Sequence, residues 1–190
     1  MHGLPAAVSA SLVMAAVSTA GDYVWAAWIP EHKAVYGLAH GTLLFLAAGL
    51  LLGIIGAPHA SAVRDAGAGA SWGAVIGALG ASAFYVLSPV MGFSAMFVVW
   101  FGVWLALAAL YRRVSSGGIE RRQHLVTHAN FGAVASRGVA AAMASGLAFY
   151  LISGIWRPFN PQGWDYAVHF GAWTLAFLPG FAALVASYRT

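Results

Sequence analysis

The chain contains no cysteine. Disulfides, thiolate metal sites, cysteine-ligated iron–sulfur clusters and cysteine nucleophiles are excluded together, and thiol usage says nothing of redox compartment. Charge is nearly as scarce. Asp, Glu, Lys and Arg make up 7% of the 190 residues, against about 25% in soluble domains. Such a chain cannot cover a water-facing surface. No HExxH helix, Walker loop, dinucleotide fingerprint, Ser-His-Asp grouping or nucleic-acid-binding module is present either. The reading is therefore non-catalytic, with no metal and no nucleic-acid partner.

What is present is apolar. Hydrophobic residues reach 61%, with 8 Trp, 11 Phe and 7 Tyr, and mean hydropathy is +0.79. This is the composition of an all-α, polytopic membrane protein, with residues 1–190 forming one transmembrane domain. A hydrocarbon core of about 30 Å requires roughly 20 apolar residues per helix. On that ruler six spans are expected, over 5–29, 34–56, 71–90, 93–112, 130–154 and 164–187. The GAPHASAVRDAGAGA segment reads as a connection, SPVMG as a tight turn, and Pro179 as an interruption inside the sixth span. The first twenty residues also resemble a secretory signal but lack a basic leading segment, so they are read as a span.

Charge asymmetry orients the chain. The 112–124 segment RRVSSGGIERRQH carries four arginines against one glutamate, and Arg64 and Arg189 fall on the same side of six spans. The opposite side has only Lys33 and Arg157. The positive-inside rule then puts both termini in the cytoplasm of an inner-membrane protein. It also explains the net charge of +4 without an acidic partner.

Internal similarity suggests three parallel helical hairpins. AFYVLSPVMG through LYRR at 83–113 parallels AFYLISG through SYR at 148–189, and the first hairpin fits more loosely. Inverted repeats mark transporters more often, so this pattern argues mildly against alternating access. Small residues recur at four-residue spacing: Gly37, Gly41, Gly49 and Gly53 in span two, Gly73, Gly77 and Ala81 in span three. Such stripes serve close helix packing. A groove for a flat lipid is the functional alternative, in which Gly41 and Gly49 line it and leucines there expel the lipid without unfolding the protein.

The polar exceptions concentrate in the outer leaflet. Asp22, His40 and His169 each lie five to seven residues inside a span end, with Tyr23 and Asp165 close by. An intramembrane ionisable group costs roughly 2.5–3.5 kcal/mol on insertion scales, so it must face protein or a wet cavity. Three readings stand for the trio. It is an interhelical hydrogen bond; or His40 and His169 are axial ligands of haem b; or it is a proton or ion path. Glu31, His32 and Lys33 read as plain loop. On the inner side, Arg112, Arg113, Arg121 and Arg122 suit topology first and anionic lipid second, and Arg137 snorkels from span five.

GAPHASAVRD at 56–65, Ala81-Ser82-Ala83, LALAALYRRVSSGG at 105–118 and WIP at 28–30 resemble motifs of the insulin-induced-gene (Insig) family and its bacterial homologues. The resemblance implies six helices around a cavity holding a sterol or diacylglycerol. Arg112 stands where the eukaryotic members carry a partner-binding aspartate, so sterol-sensor partnering does not carry over. Asp22, His40 and His169 have no counterpart in that family.

The leading expectation is a membrane protein that binds an amphipathic lipid (diacylglycerol-like, sterol-like or isoprenoid) and carries no cofactor. Its ligand residues are Asp22, Tyr23, His40, Gly41, Gly49 and His169. The alternatives are a haem b or quinone-binding electron-transfer subunit using His40 and His169, and a structural subunit of a homo-oligomer or larger membrane complex.

Overall fold

The computed structural model describes residues 3–28, 33–57, 61–115, 128–153 and 163–185. Expectations for Glu31, His32, Arg121, Arg122, His124, Arg157 and Arg189 fall outside them. The described residues fold as six helices: α1 (Gly3–Trp28), α2 (Lys33–Gly56), α3 (Ala62–Met91), α4 (Ser94–Ser115), α5 (His128–Ser153) and α6 (Trp164–Val185). α1, α2, α3, α4 and α6 are long and apolar enough to cross a membrane. α5 is 26 residues long, with an average apolar character close to that of α4.

Helices with apolar side chains on every face bury one side against protein and leave the other to lipid. Here the outward side carries Val13, Leu43, Leu79, Val86, Leu147 and Leu175. Apart from Met14, the inward side of α1 and α5 is small: Ala7, Ala10, Ser11, Ala15 and Ser18, then Ala141, Ala142 and Ser145. Large side chains fill the middle from α4 and α6, where Trp104, Leu107, Phe177, Phe181 and Leu184 are almost fully buried.

Cross-helix neighbours set the topology. Gly49 faces Gly69 and Gly73, and Gly53 faces Asp65 and Ala66, so α2 and α3 run antiparallel. Likewise Gly3 lies by Val185 while Asp22 meets His169, which sets α1 antiparallel to α6. The six helices form an up-and-down ring in chain order, closed by α1 against α6, with α4 also touching α2 and α6. α2–α3 is the most extensive contact, and α1–α2 the slightest around the ring. Gly3 and Val185 share one end of the bundle, here called proximal; the other end is distal.

One boundary departs from expectation. α3 begins nine residues before the predicted 71, so most of GAPHASAVRDAGAGA is helix, not connection. Glycine and alanine density reads as loop by composition, yet Gly69 and Gly73 are the points where α3 meets the α2 backbone. Asp65 in the first turn of α3 suits the positive end of its dipole. At the other end, Pro89 is still helical and the turn falls on Gly92, which has a φ of 56° and donates its N–H to Ser88 O at 2.8 Å. A backbone at positive φ is one glycine adopts without strain. Pro179 stands inside α6, and the bare backbone of Gly180 beside it makes room for the Trp104 ring.

A polar link crosses the aromatic core. Trp100 Nε1 donates to Ser145 Oγ at 3.1 Å, and Ser145 Oγ donates to Ala176 O at 2.6 Å, joining α4, α5 and α6. Ser145→Ala leaves a buried indole N–H without an acceptor. A loss of about 1–2 kcal/mol is expected, read as a lower unfolding midpoint in detergent. An unchanged midpoint would mean the link contributes nothing.

Candidate functional site

α6 places His169 and Trp173 four residues apart, hence on one face. That face turns to α1, where Asp22 lies in the same distal layer. Drawn as a carboxylate, Asp22 accepts at Oδ2 from His169 Nε2–H at 2.6 Å and from Trp173 Nε1–H at 3.1 Å. The two nitrogens are 2.8 Å apart. His169 is only 3% exposed, so its imidazole is embedded between the helices and held by α1. The interhelical hydrogen bond expected from sequence is present, with an indole added.

His40 does not join this cluster by a hydrogen bond. It stacks on Tyr36 one turn earlier, with ring centroids 5.7 Å apart and planes 7° from parallel. It also lies against Gly21, where any side chain would overlap the imidazole. Tyr36 donates to Gly21 O, tying α2 to α1 beside it. Asp22 is close enough to His40 to act on it electrostatically. Among the described residues no protein group hydrogen-bonds to the His40 ring, and none to Asp22 Oδ1.

Both groups face a cavity of about 230 Å³ in the distal half of the bundle. Its walls come from α2 (Gly37, Gly41, Phe45), α3 (Gly80, Phe84, Tyr85) and α4 (Met96, Trp100, Val103), with Asp22 and Trp173 completing it. The lining is overwhelmingly apolar. Trp173 joins the polar corner to the aromatic core: its ring stacks on Phe177 at 5.4 Å and lies 5.6 Å from Phe149 and 6.3 Å from Trp100.

The expected ligand residues are thus divided. Asp22, His40 and Gly41 line the cavity. His169 stands behind Asp22 and fixes it. Tyr23 is half-exposed and packs edge-on against Tyr166, 5.2 Å away, outside the lining. Gly49 is buried against the α3 backbone one turn beyond Phe45 and is not part of the cavity lining. The glycine stripe meets different surfaces at different heights. Gly49 and Gly53 meet the α3 backbone, whereas Gly37 leaves room for the Tyr85 hydroxyl.

Trp173, Tyr36, Tyr85 and Gly80 escaped the sequence reading. The available signal was spacing: Trp173 lies one turn from His169, and Tyr36 one turn from His40.

His169 Nε2 is committed to Asp22, and about 230 Å³ falls below the roughly 300–1,000 Å³ of pockets that enclose even a drug-sized molecule. No cluster of three metal-ligating side chains occurs among the described residues. Compared with family models, with curated proteins and with solved structures, the chain matches none. The likeness to the Insig family rests on its short motifs alone.

Proposed function

We propose that this chain is a six-span inner-membrane protein that holds, without converting it, the hydroxyl head of an amphipathic lipid in the distal cavity. One observation carries the reading. In an otherwise apolar cavity, Asp22 Oδ1 and the His40 ring are polar atoms that the protein leaves unbonded. Both side chains are only partly buried, so a ligand in the cavity can reach them, and a polar group facing apolar surroundings gains from a hydrogen-bond partner. Asp22 Oδ1 takes a proton donor, and an imidazole N–H supplies one to an acceptor. An alcohol is both at once: its O–H donates to Asp22 while its oxygen accepts from His40.

Charge and size narrow the ligand further. A phosphate or carboxylate head brings a second negative charge beside Asp22, which burial in low dielectric makes unfavourable. The cavity takes a head and the first part of a tail, not a whole lipid. Sterols, diacylglycerols and polyprenols share that hydroxyl. Orientation follows the positive-inside rule: Arg64 starts α3, and Arg112 and Arg113 end α4, all at the proximal end with Gly3 and Val185. That end is assigned to the cytoplasm.

Native mass spectrometry of protein from its own membranes tests the reading. A neutral lipid alcohol retained by the wild type, and reduced about tenfold or more in Asp22→Asn and His40→Ala, is the expected result. Equal retention by all three proteins sinks it. So does a bound porphyrin mass, and stoichiometric co-purified subunits would favour a structural role instead.

A further inference from the structure

A second cavity, of about 280 Å³, lies between α3 and α4 on the outside of the bundle. Ile76, Leu79, Ala83 and Leu87 line it from α3, and Val98, Gly102 and Ala106 from α4. No polar side chain enters it. Leu79 is 67% exposed and Val98 49%, so the groove opens toward the surrounding hydrocarbon. Gly80, Val99 and Val103 line this groove and the head cavity alike. The partition between them is therefore two valine side chains and a bare Cα. A Cβ on Gly80 would stand 2.9 Å from Val103 Cγ2 and 3.5 Å from Val99 Cγ1, so the partition is closed at this point and a chain passes only when the Val103 side chain turns aside.

We infer that this groove holds the hydrocarbon tail of the same lipid alcohol, which reaches the head cavity sideways between α3 and α4 past Gly80. The inference rests on the hydroxyl-head reading. Three features support this occupant over any other. The head cavity is too small for a whole lipid, so a tail must leave it. On the other sides the Tyr36 hydrogen bond to Gly21 bridges α1 and α2, and the packed rings of Trp100, Trp173 and Phe177 stand toward α6. The direction also fits. From Leu87 to Ile76 the groove runs about 16 Å along α3, away from the distal end and toward the bundle middle. Head near the surface and tail toward the centre is how a lipid of that leaflet lies. A second tail, where the lipid has one, remains in the bilayer.

Two photoreactive hexadecan-1-ol probes separate the claims in nanodiscs holding the intact protein. One carries a diazirine beside the hydroxyl, the other a diazirine midway along the tail. The head probe is expected to label residues around His40 and Trp173, and the tail probe residues 79–87 of α3 and 98–106 of α4. Filling the groove with Ala83→Phe and Ala106→Phe should cut head-probe labelling about tenfold by evicting the tail. If that variant does not fold, the wild-type labelling map decides by itself. Head labelling at the site with tail labels spread evenly over Val13, Leu43 and Leu175 overturns the groove and leaves the head site standing. No head labelling near Asp22 or His40 overturns both.

Discussion

Gly49→Leu unfolds the bundle. At Gly49 the α2 and α3 backbones are in contact: a Cβ there would overlap Gly69 O and approach Gly73 Cα to 2.9 Å. The seam is reciprocal, since Gly69 and Gly73 meet the α2 backbone at Gly49 and Phe45 in turn. A side chain can rotate away from an intruder, but a helix backbone moves only as a unit. Overpacking a core costs typically 1–3 kcal/mol where neighbouring side chains yield. With backbone on both sides the helices must separate, and a loss of about 4 kcal/mol or more is expected, a large share of the 5–15 kcal/mol that holds a typical domain together. Without a hydrophobic drive between helices in lipid, close packing of this kind is what joins α2 to α3. Gly102→Leu is the control, because a Cβ there meets nothing within 4 Å, and its stability should match the wild type. Unfolding in mild detergent, followed by circular dichroism and gel filtration, separates the two. A folded Gly49→Leu protein with an unchanged midpoint would remove the seam from this account. The result bears on the sequence-based expectation too, which had leucine at Gly49 expelling a lipid from a folded protein.

His40→Ala and His169→Ala are expected to fail in opposite ways, although both remove one imidazole from the same layer. His40 makes no hydrogen bond to the described protein, and its ring borders the cavity. Its loss should leave the unfolding midpoint within about 0.5 kcal/mol of wild type while weakening lipid-alcohol retention about tenfold. His169 is 3% exposed and spans α6 to α1 through Asp22. Its loss opens a buried void and strips the carboxylate of its shorter hydrogen bond. A destabilisation of about 2–4 kcal/mol is expected, measured as a lowered midpoint with or without lipid. Equal stability losses in both variants would make His40 a structural residue and remove the reason to assign it a ligand.

Much of the fold was legible because membrane helices announce themselves by length and hydropathy. α1, α2, α4, α5 and α6 fall within a few residues of their expected bounds, whereas α3 does not. Its first turns are made of glycine and alanine, and those residues are loop formers by composition and packing surfaces by geometry. Only a neighbouring helix decides which, and the neighbour is invisible in a local window. The same limit governed the glycine stripe. Spacing showed that Gly37, Gly41, Gly49 and Gly53 share a face, but not that the facing surface is backbone at Gly49 and a tyrosine hydroxyl at Gly37. Depth counting placed Asp22, His40 and His169 in one layer, and Asp22 does meet His169. It did not place Trp173, because an indole inside an apolar helix reads as core until a carboxylate is found beside its N–H.

The partnership of α1 with α6 has a consequence for biogenesis. Ribosomes deliver the chain from its N-terminus, so α1 enters the bilayer before α6 has been translated. α2 and α3 join a sequence neighbour at once, their glycine seam being local in the chain. α1 has little to hold on α2 and carries Asp22, a group costing roughly 2.5–3.5 kcal/mol in hydrocarbon. Asp22 therefore gains its two hydrogen-bond donors only after His169 and Trp173 have been made. The polar corner is then the last piece assembled, and its formation signals that the ring has closed.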